Sequence, residues 1–150
     1  MDIVRGLAIF CEDIREERSG QDILIGIMSD NLAVQSTPAI IPKLGVYIRL
    51  YFDSSTKPEP VRATLLLPGN QTFELGEADS DLIKGALDTA KSQKNPLTGI
   101  ILKGLFSPLP IVSEGSITAI VKIGEKEHVC GALNIVVIPT PDASASLPPS

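Results

Sequence analysis

From Val46 to Phe52 apolar Val46, Ile48, Leu50 and Phe52 alternate strictly with Tyr47, Arg49 and Tyr51. A period of two marks a strand with one buried face. Similar aliphatic runs occur at Ile3 to Cys11, Asp22 to Met28, Val61 to Leu67, Gln71 to Leu75, Leu97 to Phe106, Ser116 to Ile123 and His128 to Ile138. Several carry apolar residues on both faces; Ile101 and Leu105, for instance, stand opposite Ile100, Leu102 and Phe106.

The punctuation between the runs sets their connections. Glu12 to Gln21, charged and broken by Ser19-Gly20, joins the first two strands over about ten residues as an antiparallel pair. Pro38 and Pro42 make Asn31 to Leu44 an irregular crossing segment, since proline supplies no ladder donor. Pro68-Gly69 fits the central pair of a type II turn and predicts a hairpin, and Gly124 to Glu127 predicts a second. Pro108 and Pro110 stop the strand before them. Asp79-Ser80 can cap a helix in which Leu82, Ile83, Ala86, Leu87 and Ala90 recur at helical spacing up to Lys91. Gly85 weakens that helix by roughly 1 kcal/mol relative to Ala.

About eight strands, one short helical insert near residues 79–91 and many turns predict an all-β, two-layer antiparallel sandwich, immunoglobulin-like in kind. One domain is expected over residues 1–138, followed by a Pro/Ser-rich tail at 139–150 without regular structure.

Composition narrows the function. The 150 residues are 43% hydrophobic and 4% aromatic, with net charge −5, which suits a folded chain and not a disordered one. Scattered Lys and Arg give no footprint for phosphate contacts, so neither nucleic acid nor anionic membrane is an expected partner. No apolar run approaches the length of a membrane span. Met1-Asp2-Ile3-Val4-Arg5 places an acid where a secretory leader carries basic residues, so a cytoplasmic chain with reduced thiols is expected.

The opening strand ends in Phe10-Cys11-Glu12-Asp13-Ile14-Arg15, followed by Ser19-Gly20-Gln21 and Leu24-Ile25-Gly26-Ile27. This resembles an uncharacterised family of small bacterial and phage-borne proteins in which a strand ends in Phe-Cys-Asp-x-Val-Arg and a Leu-Ile-Gly-Ile strand follows. Pro38, Pro42, Val46-Tyr-Ile-Arg-Leu and the closing Leu133-Asn-Ile-Val-Val are similar to its later strands. The resemblance supports the fold and implies no activity.

Candidate chemistry is sparse. His128 is the single histidine, which excludes histidine clusters by counting; it reads as a solvated turn residue beside Glu125, Lys126 and Glu127. Cys11 and Cys130 lie in the first and last strands and read as buried free thiols, with a disulfide as the alternative. Glu12, Asp13, Glu16 and Asp22 are the local concentration of oxygen ligands, yet Arg15 and Arg18 interleave with them and no calcium-loop spacing is present; they are weak metal candidates. Tyr47, Arg49 and Tyr51 occupy the non-core face of their strand, either as a contact patch or beneath the crossing segment, the second being the simpler reading.

No catalytic constellation and no cofactor motif emerge. The expected function is a non-catalytic module acting through protein contacts, with a protein partner or a homo-oligomer. The alternative is a small carboxylate- or metal-dependent hydrolase using the acids after strand one. A sugar-binding sandwich is disfavoured by the absence of Trp.

Overall fold

A computed structural model describes residues 1–139, and the expected tail falls almost wholly outside them. Two sheets, antiparallel except for one strand pair, pack face to face. The first holds β1 (Ile3–Glu16), β2 (Asp22–Ile27), β5 (Leu44–Asp53) and β8 (Leu97–Phe106) in the order β2-β1-β5-β8. The second holds β3 (Asn31–Val34), β6 (Val61–Leu67), β7 (Gln71–Ala78), β10 (Gly115–Ile123) and β11 (Lys126–Val137) in the order β3-β11-β10-β6-β7. Its β3–β11 pair is parallel. A two-stranded ribbon pairs β4 (Ala39–Ile41) with β9 (Leu109–Ile111).

The sandwich is as the alternation predicts. Leu44, Val46, Ile48, Leu50 and Phe52 of β5 are fully buried against Val61, Ala63, Leu65, Ile117, Ala119, Val121 and Leu133 of the facing sheet. The strands number eleven where about eight were expected. The additional ones are β3, β4 and β9, three or four residues each, set among prolines and too short to show a period. The crossing segment is therefore partly strand.

A second correction concerns the hairpin β1–β2. Pairing runs to Glu16↔Asp22, so β1 extends five residues past Cys11 and the connection shrinks to Glu17–Gln21. Charge misled the sequence reading here: a strand projecting beyond its neighbours needs no alternating apolar face. At the other end of β1 a register shift between Ile3 and Arg5 turns Ile3 onto the core side with Ala8 and Phe10, while Leu7 and Ile9 face out.

The helix α1 (Ser80–Ser92) carries the chain from β7 to β8. Asp79 caps it, Oδ1 accepting from the Leu82 amide at 2.8 Å, and Ile83, Leu87 and Ala90 are its buried stripe. Across the Pro68–Asn70 turn, Gly69 at φ +85° supplies the positive angle that a type II turn requires.

Candidate functional site

The residues of β5 that alternate away from the core lie on an open sheet face. Register places them in rows across three strands: Arg5–Tyr51–Gly99, Leu7–Arg49–Ile101, Ile9–Tyr47–Lys103 and Cys11–Gly45–Leu105. Leu7, Ile101 and Leu105 are 55%, 45% and 46% exposed, while Ile9, Tyr47 and Tyr51 are half-buried by their neighbours. The Arg49 guanidinium carbon sits 5.1 Å from the centroid of the Tyr51 ring, a cation–π contact. That ring leans over Gly99, where an added Cβ would lie 3.4 Å from it.

The crossing segment does not roof these tyrosines, contrary to the simpler sequence reading. Its strands are committed elsewhere, β3 to β11 and β4 to β9, where their backbone donors find partners. It is the tip of the β1–β2 hairpin that bends over the Tyr47 end, Gly20, Gln21, Asp22 and Leu24 bordering a pocket with Tyr47 and Ile101, while Arg49 stays exposed.

The four acids divide into separate settings. Glu16 and Asp22, at the mouth of the β1–β2 hairpin, converge on Lys103 of β8, whose Nζ lies 2.7 Å from Glu16 Oε1 and 2.5 Å from Asp22 Oδ1. Hydrogen bonds that Lys103 donates to Asp22 and then to Glu16 raise its pKa above the ordinary lysine value, outweighing desolvation. Asp13 faces Lys43 at 3.7 Å and Arg15 at 3.5 Å. Glu12 is exposed, and its carboxylate crosses Gly26, whose φ of +65° calls for glycine. Among the described residues no three His, Cys, Asp or Glu side chains stand close enough to share a metal ion. Arg15 partners Asp13 as its interleaving suggested, but the main cations, Lys43 and Lys103, come from distant sequence that local reading does not reach.

Glu12 and Asp13 also border a groove of 520 Å³ between the projecting hairpin and the crossing segment, with Arg15, Ile25, Ile41 and Lys43.

His128 is not a solvated turn residue. A two-residue loop, Gly124-Glu125, with Gly124 at φ +58°, lets pairing begin at Lys126, so His128 stands inside β11 opposite Val121. It is half-buried, and its Nε2 has neither water contact nor a hydrogen-bond partner among the described residues.

Both cysteines are free and buried. Cys130 is the bulged residue of β11 and its Sγ approaches Gly6, whereas Cys11 Sγ packs at Gly45. Gly6 and Cys11 are about 16 Å apart along β1, far beyond disulfide reach. Burial raises both thiol pKa values, which keeps the sulfurs protonated and poorly nucleophilic.

No helix among the described residues is long and apolar enough to cross a membrane. No curated protein and no solved structure matches the chain significantly. A family described as a family of unknown function, DUF6941, matches residues 6–137, nearly the whole sandwich from within β1 to the end of β11. The chain belongs to that family, DUF6941.

Proposed function

We propose that this protein is a non-catalytic, immunoglobulin-like β-sandwich module that works through protein contacts, and that its contact surface is the outward face of the β2-β1-β5-β8 sheet. The observation that carries the reading is the continuity of Leu7, Ile9, Tyr47, Tyr51, Ile101 and Leu105 across three strands. Apolar and aromatic side chains in one patch are what binding surfaces concentrate, tyrosine most of all, because it offers large contact area at little entropy cost. Buried, protonated, unpaired thiols favour a reducing compartment, in keeping with a cytoplasmic role.

A photocrosslinking residue placed at Leu7 or at Ile101 tests this in cells that make the protein. Adducts of defined mass from both positions, and none from Thr64 on the opposite sheet, are expected. Equal adducts from all three positions, or none from the first two, overturn the reading.

The second reading is a carboxylate- or metal-dependent hydrolase, favoured by Glu12 and Asp13 sharing the rim of the groove. Against it, Asp13 is already met by Arg15 and Lys43. Calorimetry with millimolar calcium or magnesium decides its metal-dependent form: heat that disappears in Asp13→Ala supports that form, and no heat removes it.

A further inference from the structure

We infer that the occupant of this face is a partner protein whose surface combines apolar side chains with carboxylates, and not a second copy of the chain. The inference rests on the contact reading above and names its partner's chemistry.

Arg5 and Arg49 lie on neighbouring strands, Arg5 opposite Tyr51 and Arg49 opposite Leu7, so they are diagonal neighbours roughly 7 Å apart. Among the described residues neither forms an ion pair, nor does the isolated Lys122 of β10, whereas Lys103 and Arg62 do. Lys103, on the same face, holds Glu16 and Asp22, and Arg62 of β6 is flanked by Glu77 at 3.2 Å and Glu74 at 3.9 Å. The next carboxylate along β5, Asp53, is turned to Ser55, accepting from its amide at 2.8 Å and its hydroxyl at 2.6 Å. Two like charges in one apolar patch thus lack a counter-charge.

Tyr51 holds Arg49 in place while leaving the guanidinium able to donate two parallel hydrogen bonds to a carboxylate. The net charge of −5 does not decide the matter, because screening limits its reach to about 8 Å at physiological ionic strength, within which the two arginines dominate. A second copy meeting this face on a two-fold axis would bring four guanidinium groups into one desolvated interface. Its nearby acids, Glu16 and Asp22, are already held by Lys103.

The probes are three short synthetic peptides, alternating Leu with Glu, Leu with Lys, and Ser with Glu, titrated into the 15N-labelled chain and into its Arg5→Glu/Arg49→Glu variant. The Leu/Glu peptide is expected to shift amides of β1, β5 and β8 and to lose at least about tenfold in affinity to the variant. The variant should in turn gain for the Leu/Lys peptide, and Ser/Glu should bind neither. Both arginines are exposed, so the variant should fold, and its unshifted core amides verify that. Equal binding of Leu/Lys and Leu/Glu by the native chain, no loss in the variant, or no binding of Leu/Glu overturns the inference. So does a dimer of the free chain that buries this face. Face-specific crosslinks alongside any of those results leave the contact reading standing, whereas absent crosslinks remove that reading itself.

Discussion

The outward faces of the two sheets are built on the same backbone plan and filled differently. On the five-stranded sheet, Glu77, Arg62, Lys122 and Glu127 form one row across β7, β6, β10 and β11, and Ser116 donates to Asn134 at 2.8 Å further along. Ile120 and Val129 are apolar interruptions of that surface, bordered by Thr64, Thr118 and Glu74. On the four-stranded sheet the corresponding rows read Leu7–Arg49–Ile101 and Ile9–Tyr47–Lys103. On the first face Arg62 is met by Glu77 and Glu74, whereas on the second Arg5 and Arg49 meet no carboxylate among the described residues. A sheet that only had to dissolve would need one kind of surface. The difference indicates that the two faces meet different surroundings.

The comparison depends on the sheets sharing one core, and its most severe test is where they come closest. A Cβ at Gly131 of β11 would stand 3.0 Å from the Ala8 Cβ and 3.1 Å from the Ala8 carbonyl oxygen on β1. Gly131→Val must push β1 and β11 apart, and a loss of about 3 kcal/mol is expected from urea unfolding. An unchanged midpoint would mean that the sheets slide freely and that neither face is fixed by the other.

Next in size, Leu7→Glu with Ile101→Glu should cost more than about 2 kcal/mol of partner binding while leaving stability within about 1 kcal/mol, since both side chains already face water. The matched pair Thr64→Glu and Thr118→Glu, on the other sheet, should leave binding intact. If both pairs weaken binding alike, the faces do not differ in role.

The sequence made the inward half of this plan legible and the outward half only in part. Alternation in β5 and the Pro68-Gly69 turn identify strand, face and hairpin without reference to the rest of the chain. Asp79 as helix cap is equally local. What escaped depends on distant partners. β3, β4 and β9 exist because β11 and one another supply their hydrogen bonds, and four residues or fewer carry no period. The acids of the first hairpin were grouped by proximity in sequence, yet Lys103, 81 residues beyond Asp22, decides how two of them are used. Tyr47, Arg49 and Tyr51 were recognised as outward-facing, but whether anything covers them turned on where the crossing segment docks.

Lys103 offers a smaller and more specific test, because it is the cation of the apolar face that has found its acids. The Asp22 side chain is only 10% exposed, so Lys103→Met strands a nearly buried carboxylate and should cost about 1 kcal/mol. The folded-state pKa of Lys103 lies above its unfolded value of about 10.4. Its contribution is therefore complete below that value and fades as pH rises through the folded one. Thermal melts of native and variant chains should keep a constant gap from pH 6 to 9 and converge only above the ordinary lysine pKa. A gap that persists undiminished at alkaline pH, where Lys103 has lost its proton, would show that the clamp acts through packing alone.

The smallest expected effect is the sharpest comparison, because it sets one arginine from a central strand of each sheet against the other. Arg62 is 58% exposed and its partners Glu74 and Glu77 are 68% and 69% exposed, a setting in which ion pairs contribute little. Arg62→Ala should change unfolding free energy by no more than about 0.5 kcal/mol, and Arg49→Ala, which gives up only a solvent-exposed cation–π contact, by a similar amount. Stability therefore does not tell the two positions apart. Binding of the alternating Leu/Glu peptide should: Arg62→Ala leaves it unchanged, because that guanidinium already has its carboxylates, and Arg49→Ala weakens it severalfold, because that one supplies a counter-charge the fold has not used. Equal behaviour in both assays would reduce the contrast between the faces to hydrophobicity alone and remove charge from the account of the partner.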